Sequence, residues 1–258
     1  MSAVVLALCN QKGGVGKTTT TYHLARSAVA AGQKVLAIDM DPQANLTMIA
    51  AAEDVDADAL SIADVLSPRV GERLAEVLVP GAWPGLTLAP AVDTALANVR
   101  DELVGVPVGR ESRLRQALQE ISGDYDLVLI DCPPELGQLT INALVAATRA
   151  AVVTEARLFA AQGTAGIMGT IDTVREHYNP TLRFAGVIVN KHEHTITSRE
   201  RLDELAGAVR VIDPVIPKRV AINDAAEAAT GLDEWPREGP ELATLYRTIL
   251  QQITQEDT

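Results

Sequence analysis

One local arrangement constrains this chain more than any other: an apolar run, Val4–Cys9, a turn reading "NQKGGVGKT", and an amphipathic stretch, Thr18–Ala31. A strand, a glycine-rich loop and a helix in that order carry a built-in ligand preference. Gly13, Gly14 and Gly16 lack a Cβ, so successive backbone N–H groups can curl inward around phosphate oxygens. Lys17 is placed to reach β- and γ-phosphates, and the Thr18 hydroxyl to ligate Mg²⁺. The helix that follows points its positive end at the same charge. The run Gly13, Gly14, Val15, Gly16, Lys17, Thr18 and Thr19 is therefore expected to hold a nucleoside triphosphate. The fit to G-x-x-x-x-G-K-[ST] is incomplete, because Gln11 stands where the first glycine belongs and Lys12 is an additional cation. A dinucleotide fingerprint fails, since Thr19 occupies the third glycine position.

The rest of the chain repeats the strand–helix alternation. Val4–Cys9, Lys34–Asp39, Leu86–Ala89, Leu127–Asp131, Ala150–Thr154 and Phe184–Asn190 read as strands, and Thr18–Ala31, Arg110–Ile121, Leu136–Thr148 and Gln162–His177 as helices. Runs such as "LVLID" and "AGVIVN" are apolar on both faces, as in a covered parallel sheet. Aromatics are only 3% of 258 residues, so Ala, Val, Leu and Ile must build the core. The expected fold is α/β: a P-loop NTPase three-layer sandwich whose mostly parallel, twisted central sheet is flanked by helices. One domain, 1–258, accommodates everything, with residues 53–85 as an acidic surface excursion and 238–254 as a packing helix. In that helix Leu242, Leu245, Tyr246, Ile249, Leu250 and Ile253 share one face after the Gly239-Pro240 break. Its opposite face holds a single cation, Arg247, where a membrane-surface helix would carry several.

Two cysteines, Cys9 and Cys132, each border an apolar run and read as reduced, buried thiols rather than a disulfide or zinc site. The N-terminus has neither a basic n-region nor a membrane-length apolar run, so a soluble, cytoplasmic protein is expected. The formal net charge is −12, yet it is uneven. Residues 50–102 hold ten acids against three Arg, whereas 175–219 hold eight Lys or Arg against six acids.

Two further segments bear on the phosphate site. "DLVLIDCPPELG" is a strand ending in Asp131, from where a carboxylate reaches a magnesium shell, usually through water. "AIDMDPQANLT" places Asp39 and Asp41 at a strand end, either as a metal pair or as a capped turn at Pro42. His192 and His194 in "KHEHT" have no supporting carboxylates and read as surface residues. His23 in the first helix is assigned no role.

Together KGGVGKTT (Lys12–Thr19), "DMDPQANLT" (Asp39–Thr47) and "LVLIDCPPELG" (Leu127–Gly137) closely resemble the motifs of the ParA family of partition ATPases, within the ParA/MinD class of deviant Walker ATPases. "TEARLFAAQG" (Thr154–Gly163), "GVIVNKHE" (Gly186–Glu193) and "VIPKRVAINDAAEAATG" (Val215–Gly231) resemble its later blocks more loosely. The resemblance implies ATP and Mg²⁺ as cofactors and a homodimer that sandwiches ATP. It implies that Lys12 crosses to the partner subunit's nucleotide phosphates, a lysine counterpart of an arginine finger; otherwise Lys12 is simply solvated. It assigns Asp41 to the attacking water, Asp39 to the structure around the metal, and Asn190 and the Pro217 region to adenine.

The same resemblance implies non-specific DNA binding in the ATP state, a ParB-like partner that stimulates hydrolysis, and nucleoid association. Arg199, Arg201, Lys218 and Arg219 are the candidate DNA surface. Against it stands a solvated helix face with Glu200, Asp203 and Glu204 in compensation. A loop starting this near the N-terminus resembles the short type, without a helix-turn-helix domain. A MinD-like or other cargo-positioning ATPase that does not use DNA is the alternative. A small-molecule ligase and an iron–sulfur reductase are more distant rivals, and Cys9, inside a strand, cannot serve a cluster.

Overall fold

The computed structural model describes residues 3–157 and 160–255. The chain runs β1 (Val4–Cys9), α1 (Lys17–Ala30), β2 (Val35–Asp39), α2 (Asn45–Ala50), α3 (Ile62–Leu66), β3 (Val79–Pro80), β4 (Leu86–Ala89), α4 (Asp93–Val104) and α5 (Arg113–Gln119). It continues through β5 (Leu127–Asp131), α6 (Gln138–Ala146), β6 (Arg149–Glu155), α7 (Ala160–His177), β7 (Arg183–Asn190), α8 (Ile196–Ala208), β8 (Val211–Ile212), α9 (Val220–Glu227) and α10 (Gly239–Thr254). The strands form one sheet in the order β3-β4-β2-β5-β1-β6-β7-β8, parallel throughout except for β3.

The period of two along each strand sorts its side chains into two layers. Val5, Ala7 and Cys9 of β1 face helices α3–α7, while Leu6 and Leu8 face α1, α9 and α10. Both faces of the central strands are therefore buried, which accounts for their near-continuous apolar runs. The three-layer architecture read from the sequence is what the chain adopts. Cys9 and Cys132 are both buried and free. Among the described residues, no helix is long and apolar enough to cross a membrane.

Some boundaries differ from the sequence reading. The helix expected over Leu136–Thr148 stops at Ala146, because Thr148 already pairs with the β1 strand through its N–H to Val5 O at 2.8 Å. The helix expected from Arg110 begins only at Arg113. Residues 53–85 are more than a surface excursion. Ser61 and Asp64 form a capping box that starts α3. Beneath the acids, Ile62, Leu66 and Leu74 are fully buried. Acids and Gly or Pro residues interrupt the apolar positions there, so no sustained period marks the short buried faces. Helix α4, unread in the sequence, inserts Leu96, Val99 and Leu103 into the same layer. The "TEARLFAAQG" segment includes Leu158 and Phe159, which lie outside the described residues.

Helix α10 buries Leu242, Tyr246, Ile249, Leu250 and Ile253 against α1, with Leu245 only partly covered. Between these helices sits His23, 2% exposed and flanked by the rings of Tyr22 and Tyr246 at 5.2 and 4.9 Å. Its Nε2–H donates to Ile222 O at 2.8 Å, tying α1 to α9. Burial lowers its pKa from 6.5 to about 4, so acid protonates the unfolded chain first. Native stability should therefore fall as pH drops from 6.5 towards 4, by at most about 3 kcal/mol. Urea unfolding of wild type and His23→Gln at pH 7 and pH 4 checks this. The wild type should lose ground to the variant at pH 4, and an unchanged difference would show that His23 is not held neutral.

Candidate functional site

Register builds the site at the carboxyl ends of the central parallel strands, the usual crevice of an open α/β sheet. Leu8 of β1 and Asp39 of β2 both pair with Asp131 of β5. Two carboxylates thus lie side by side next to the strand that feeds the glycine loop. Asn10 starts that loop: its Nδ2 donates to Val153 O at 2.7 Å, and its Oδ1 accepts the Lys12 N–H at 3.1 Å. Gly14 and Gly16 then take φ of +74° and +90°, which only glycine adopts without strain. A Cβ on Gly16 would also lie 2.1 Å from Asn190 Nδ2. Among the described residues, nothing accepts a hydrogen bond from the main-chain N–H groups of Gly13, Gly14, Val15 or Gly16. Four donors on a loop feeding the positive end of α1 make a fitting cradle for phosphate oxygens.

Lys17 and Thr18 enter as expected. Lys17 is 6% exposed and lines a cleft of ≈ 510 Å³ with Gly13, Gly14, Gly16, Thr18, Thr19 and Asp41. The Thr18 hydroxyl donates to Asp131 Oδ2 at 2.7 Å, and Thr21 donates to Oδ1 at 3.3 Å. Burial first, and then the Asp39 charge, push the Asp131 carboxyl well above the usual range; Thr18 and Lys17 oppose them. A pair of desolvated carboxylates beside a hydroxyl is a cation-seeking donor set. Among the described residues no three His, Cys, Asp or Glu gather to hold a metal unaided. Mg²⁺ does not require that, because it keeps several waters and leans on substrate phosphates. Thr18 and Asp131 are the residues that fit it.

The two aspartates at and just past the end of β2 have separate duties. Asp39, fully buried, accepts from the Thr47 N–H and hydroxyl at 2.8 Å each and from the Asp41 N–H at 3.1 Å. Asp39 therefore caps the turn into α2 beside Asp131 through both Oδ2 lone pairs, and its Oδ1 keeps one lone pair towards the expected metal surroundings. Among the described residues the Asp41 carboxylate accepts only the Gln43 N–H, at 3.0 Å, and it lines the cleft.

Lys12 is exposed and outside the cleft lining, with no ion pair among the described residues. Asn190 is buried beneath the loop; its Nδ2 donates to Val15 O at 2.9 Å and its Oδ1 accepts the Lys191 N–H at 2.8 Å. Pro217 lies alongside, bridged to His192. The cleft is also lined by Lys191, Asn223, Ala226 and Glu227, which the sequence reading missed. Asn223 and Glu227 sit four apart on α9, and only that helical spacing hinted at a shared face. His192 is a further correction: it is buried, with Nδ1 within 3.1 Å of Ser198 Oγ, and burial lowers its pKa.

The four cations read as a DNA surface are less free than expected. Arg201 pairs with Glu204 at 2.8 Å, Lys218 with Glu193 at 2.6 Å and Arg219 with Glu238 at 3.1 Å. Arg199 and Arg201 are two apart on α8 and so cannot face one way. A larger groove of ≈ 950 Å³ beside α2 is rimmed by Glu53, Asp54, Asp56 and Asp93, a lining that repels polyphosphate.

Comparison with known proteins agrees with this geometry. A family model described as an AAA domain matches residues 3–184. The chromosome partitioning protein ParA of Caulobacter vibrioides is 39% identical over 227 residues, 86% of this chain and 83% of that protein. The sporulation initiation inhibitor protein Soj of Bacillus subtilis is 33% identical over 86% of this chain and 87% of its own. A crystal structure of cobyrinic acid a,c-diamide synthase from Mycobacterium smegmatis, with bound ATP analog and magnesium, superposes with a TM-score of 0.80. It is 32% identical, covering 96% of this chain and 93% of that one.

The loop geometry makes a direct prediction. Gly16→Ala forces a side chain into φ +90° and onto Asn190. It should lower unfolding free energy by about 1–3 kcal/mol and abolish phosphate-ligand binding. Thermal unfolding and nucleotide titration of the variant measure both effects.

Proposed function

We propose, on the premise that this chain belongs to the ParA family of P-loop ATPases, that it is a Mg²⁺-dependent ATPase working as an ATP-sandwiched homodimer. In the ATP state it binds non-specific DNA and, with a ParB-like partner that stimulates hydrolysis, segregates plasmid or chromosomal DNA. The observation that carries the reading is the division of two lysines at one loop. Lys17 is buried in the cleft, whereas Lys12 is exposed and without an acidic partner among the described residues. A cation that its own chain leaves unused suits delivery to a second subunit. Competence for hydrolysis then depends on dimerisation.

Bound Mg·ATP supplies the phosphoryl group that is transferred to water. The N–H groups of Gly13 to Gly16 hold its phosphates, assisted by Lys17 and Thr19, and Thr18 and Asp131 hold the metal. Asp41, just past β2 and in the cleft lining, orients the water. Asn190 and the Pro217 backbone lie towards adenine; Asn190 keeps one Nδ2–H and one Oδ1 lone pair for that contact. On this reading the protein is cytoplasmic and nucleoid-associated in its ATP state. Arg201, Lys218 and Arg219 supply DNA contacts by exchanging exposed carboxylate partners for phosphates, and Arg199 adds one from another side of α8. Such exposed pairs are weak, typically below about 1 kcal/mol, so the exchange is feasible and salt-sensitive.

Three substitutions separate the roles. Lys17→Ala should lose nucleotide affinity. Lys12→Ala should keep affinity and lose hydrolysis by roughly 10³-fold or more, as when a trans-acting finger is removed. Asp41→Ala should dimerise with ATP and stop turning over, seen by light scattering and phosphate release. A monomeric Asp41→Ala with ATP would refute its assignment.

Electrophoretic mobility of random-sequence DNA, with ADP and with ATP, tests the DNA role. ATP-dependent binding that persists in Asp41→Ala and weakens in Lys218→Ala/Arg219→Ala supports it. ATP-driven dimers that ignore DNA at low salt would favour a cargo-positioning ATPase instead. The polar face of α10, with Arg247 among Glu241, Thr244 and Gln251, gives a membrane little to bind. ATPase activity that requires a small carboxylic acid substrate would favour the ligase reading.

A further inference from the structure

Two donors at the carboxyl end of β7, Asn190 buried and Lys191 at the rim of the cleft, grip carbonyls of the glycine loop. Asn190 Nδ2 donates to Val15 O, and Lys191 Nζ donates to Gly14 O. A P-loop presents N–H groups to its ligand and turns carbonyls away, so these are the outward ends of the peptide units whose N–H groups belong to Val15 and Gly16. A hydrogen bond to a peptide carbonyl polarises the whole unit and strengthens its N–H as a donor. A charged donor does so more strongly than a neutral one.

Lys191 is held for this contact. It has φ +53°, a conformation that favours glycine, and this turn follows directly on β7. Its ammonium also lies 3.3 Å from Glu155 Oε1. Glu155 is 9% exposed and is paired with Arg157 as well. The lysine is thus wedged between a largely buried carboxylate and the loop carbonyl. Persistent strain of this kind at a site marks a position that surrounding contacts over-determine.

We propose that Lys191, seconded by Asn190, is a positioning residue for phosphate binding: its ammonium pins and polarises the Gly14–Val15 peptide so that the Val15 N–H is presented to the ligand's phosphates. The inference rests on the nucleotide-binding reading above, but its first test needs no nucleotide. In the amide spectrum of the ligand-free protein, Lys191→Met should move the Val15 proton upfield while amides remote from the loop stay in place. Lys191→Arg should restore most of that shift. Binding of a fluorescent ATP analogue should weaken about tenfold in Lys191→Met, the scale of a charge-assisted hydrogen bond, and recover in Lys191→Arg.

Lys191→Gly separates positioning from mere support. Glycine relieves the positive φ, so this variant should match or exceed wild-type thermal stability and still show the Val15 shift and the weakened binding. A Lys191→Gly protein with wild-type affinity would overturn the proposal. So would weakened binding in Lys191→Met with an unmoved Val15 amide, since the lysine would then act only through its long-range charge. A wild type that fails to bind the analogue would sink the nucleotide reading, and the amide shifts would still decide whether Lys191 polarises the loop.

Discussion

The grip of the buried Asp131 carboxylate on the first turn of α1 is the contact on which the rest of the site depends. Its oxygens take the hydroxyls of Thr18 and Thr21, and so tie the end of β5 to the helix that the glycine loop must enter. The loop is strung between β1, fixed in register with β5, and this helix start. With both ends attached to one strand, its height above the sheet is set. The carboxylate tolerates burial because two hydroxyls and the nearby Lys17 offset part of the desolvation cost. The same residual demand for positive charge gives the site its fitness for a divalent cation. One residue thus serves as both structural anchor and ligand.

Beside it, a two-residue step along the chain separates structure from chemistry. Asp39 is the last residue of β2 and points into the protein, where the Thr47 and Asp41 donors occupy it. Asp41 lies just past the strand, where the turn at Pro42 and Gln43 opens to the cleft. A residue inside a sheet must find its partners among fixed neighbours, whereas one beyond the sheet edge keeps a free lone pair. Two carboxylates in nearly the same place consequently become a cap and a candidate water-orienting group.

Charge is distributed to match. Glu53, Asp54, Asp56 and Asp93 rim the larger groove, whereas the acids lining the nucleotide cleft among the described residues are Asp41 and Glu227. Lys191, Arg201, Lys218 and Arg219, which all follow β7 in the chain, are each paired with a carboxylate. The net charge of −12 is thus unevenly spread, and exposed ion pairs of this kind are individually weak.

What the sequence determined by itself are the features whose cause is local. Three glycines within four positions, Lys17 and Thr18 at a helix start, and an apolar strand ending in Asp131 follow from geometry spanning a few residues. Residue type and spacing were enough to place them. The alternation of apolar strands with amphipathic helices likewise determined the layered fold, because the two periodicities are properties of single elements. The tertiary structure decided what depends on strand order. Asn190 and Lys191 reach the loop across 175 and 177 residues of chain, because β6 and β7 lie beside β1 in the sheet. No periodicity announces that adjacency. The capping of Asp39, the buried underside of residues 53–85 and the neutral His23 between two helices belong to the same class. Each is set by which surfaces meet when the sheet closes, a choice made by the packing energy of the whole core.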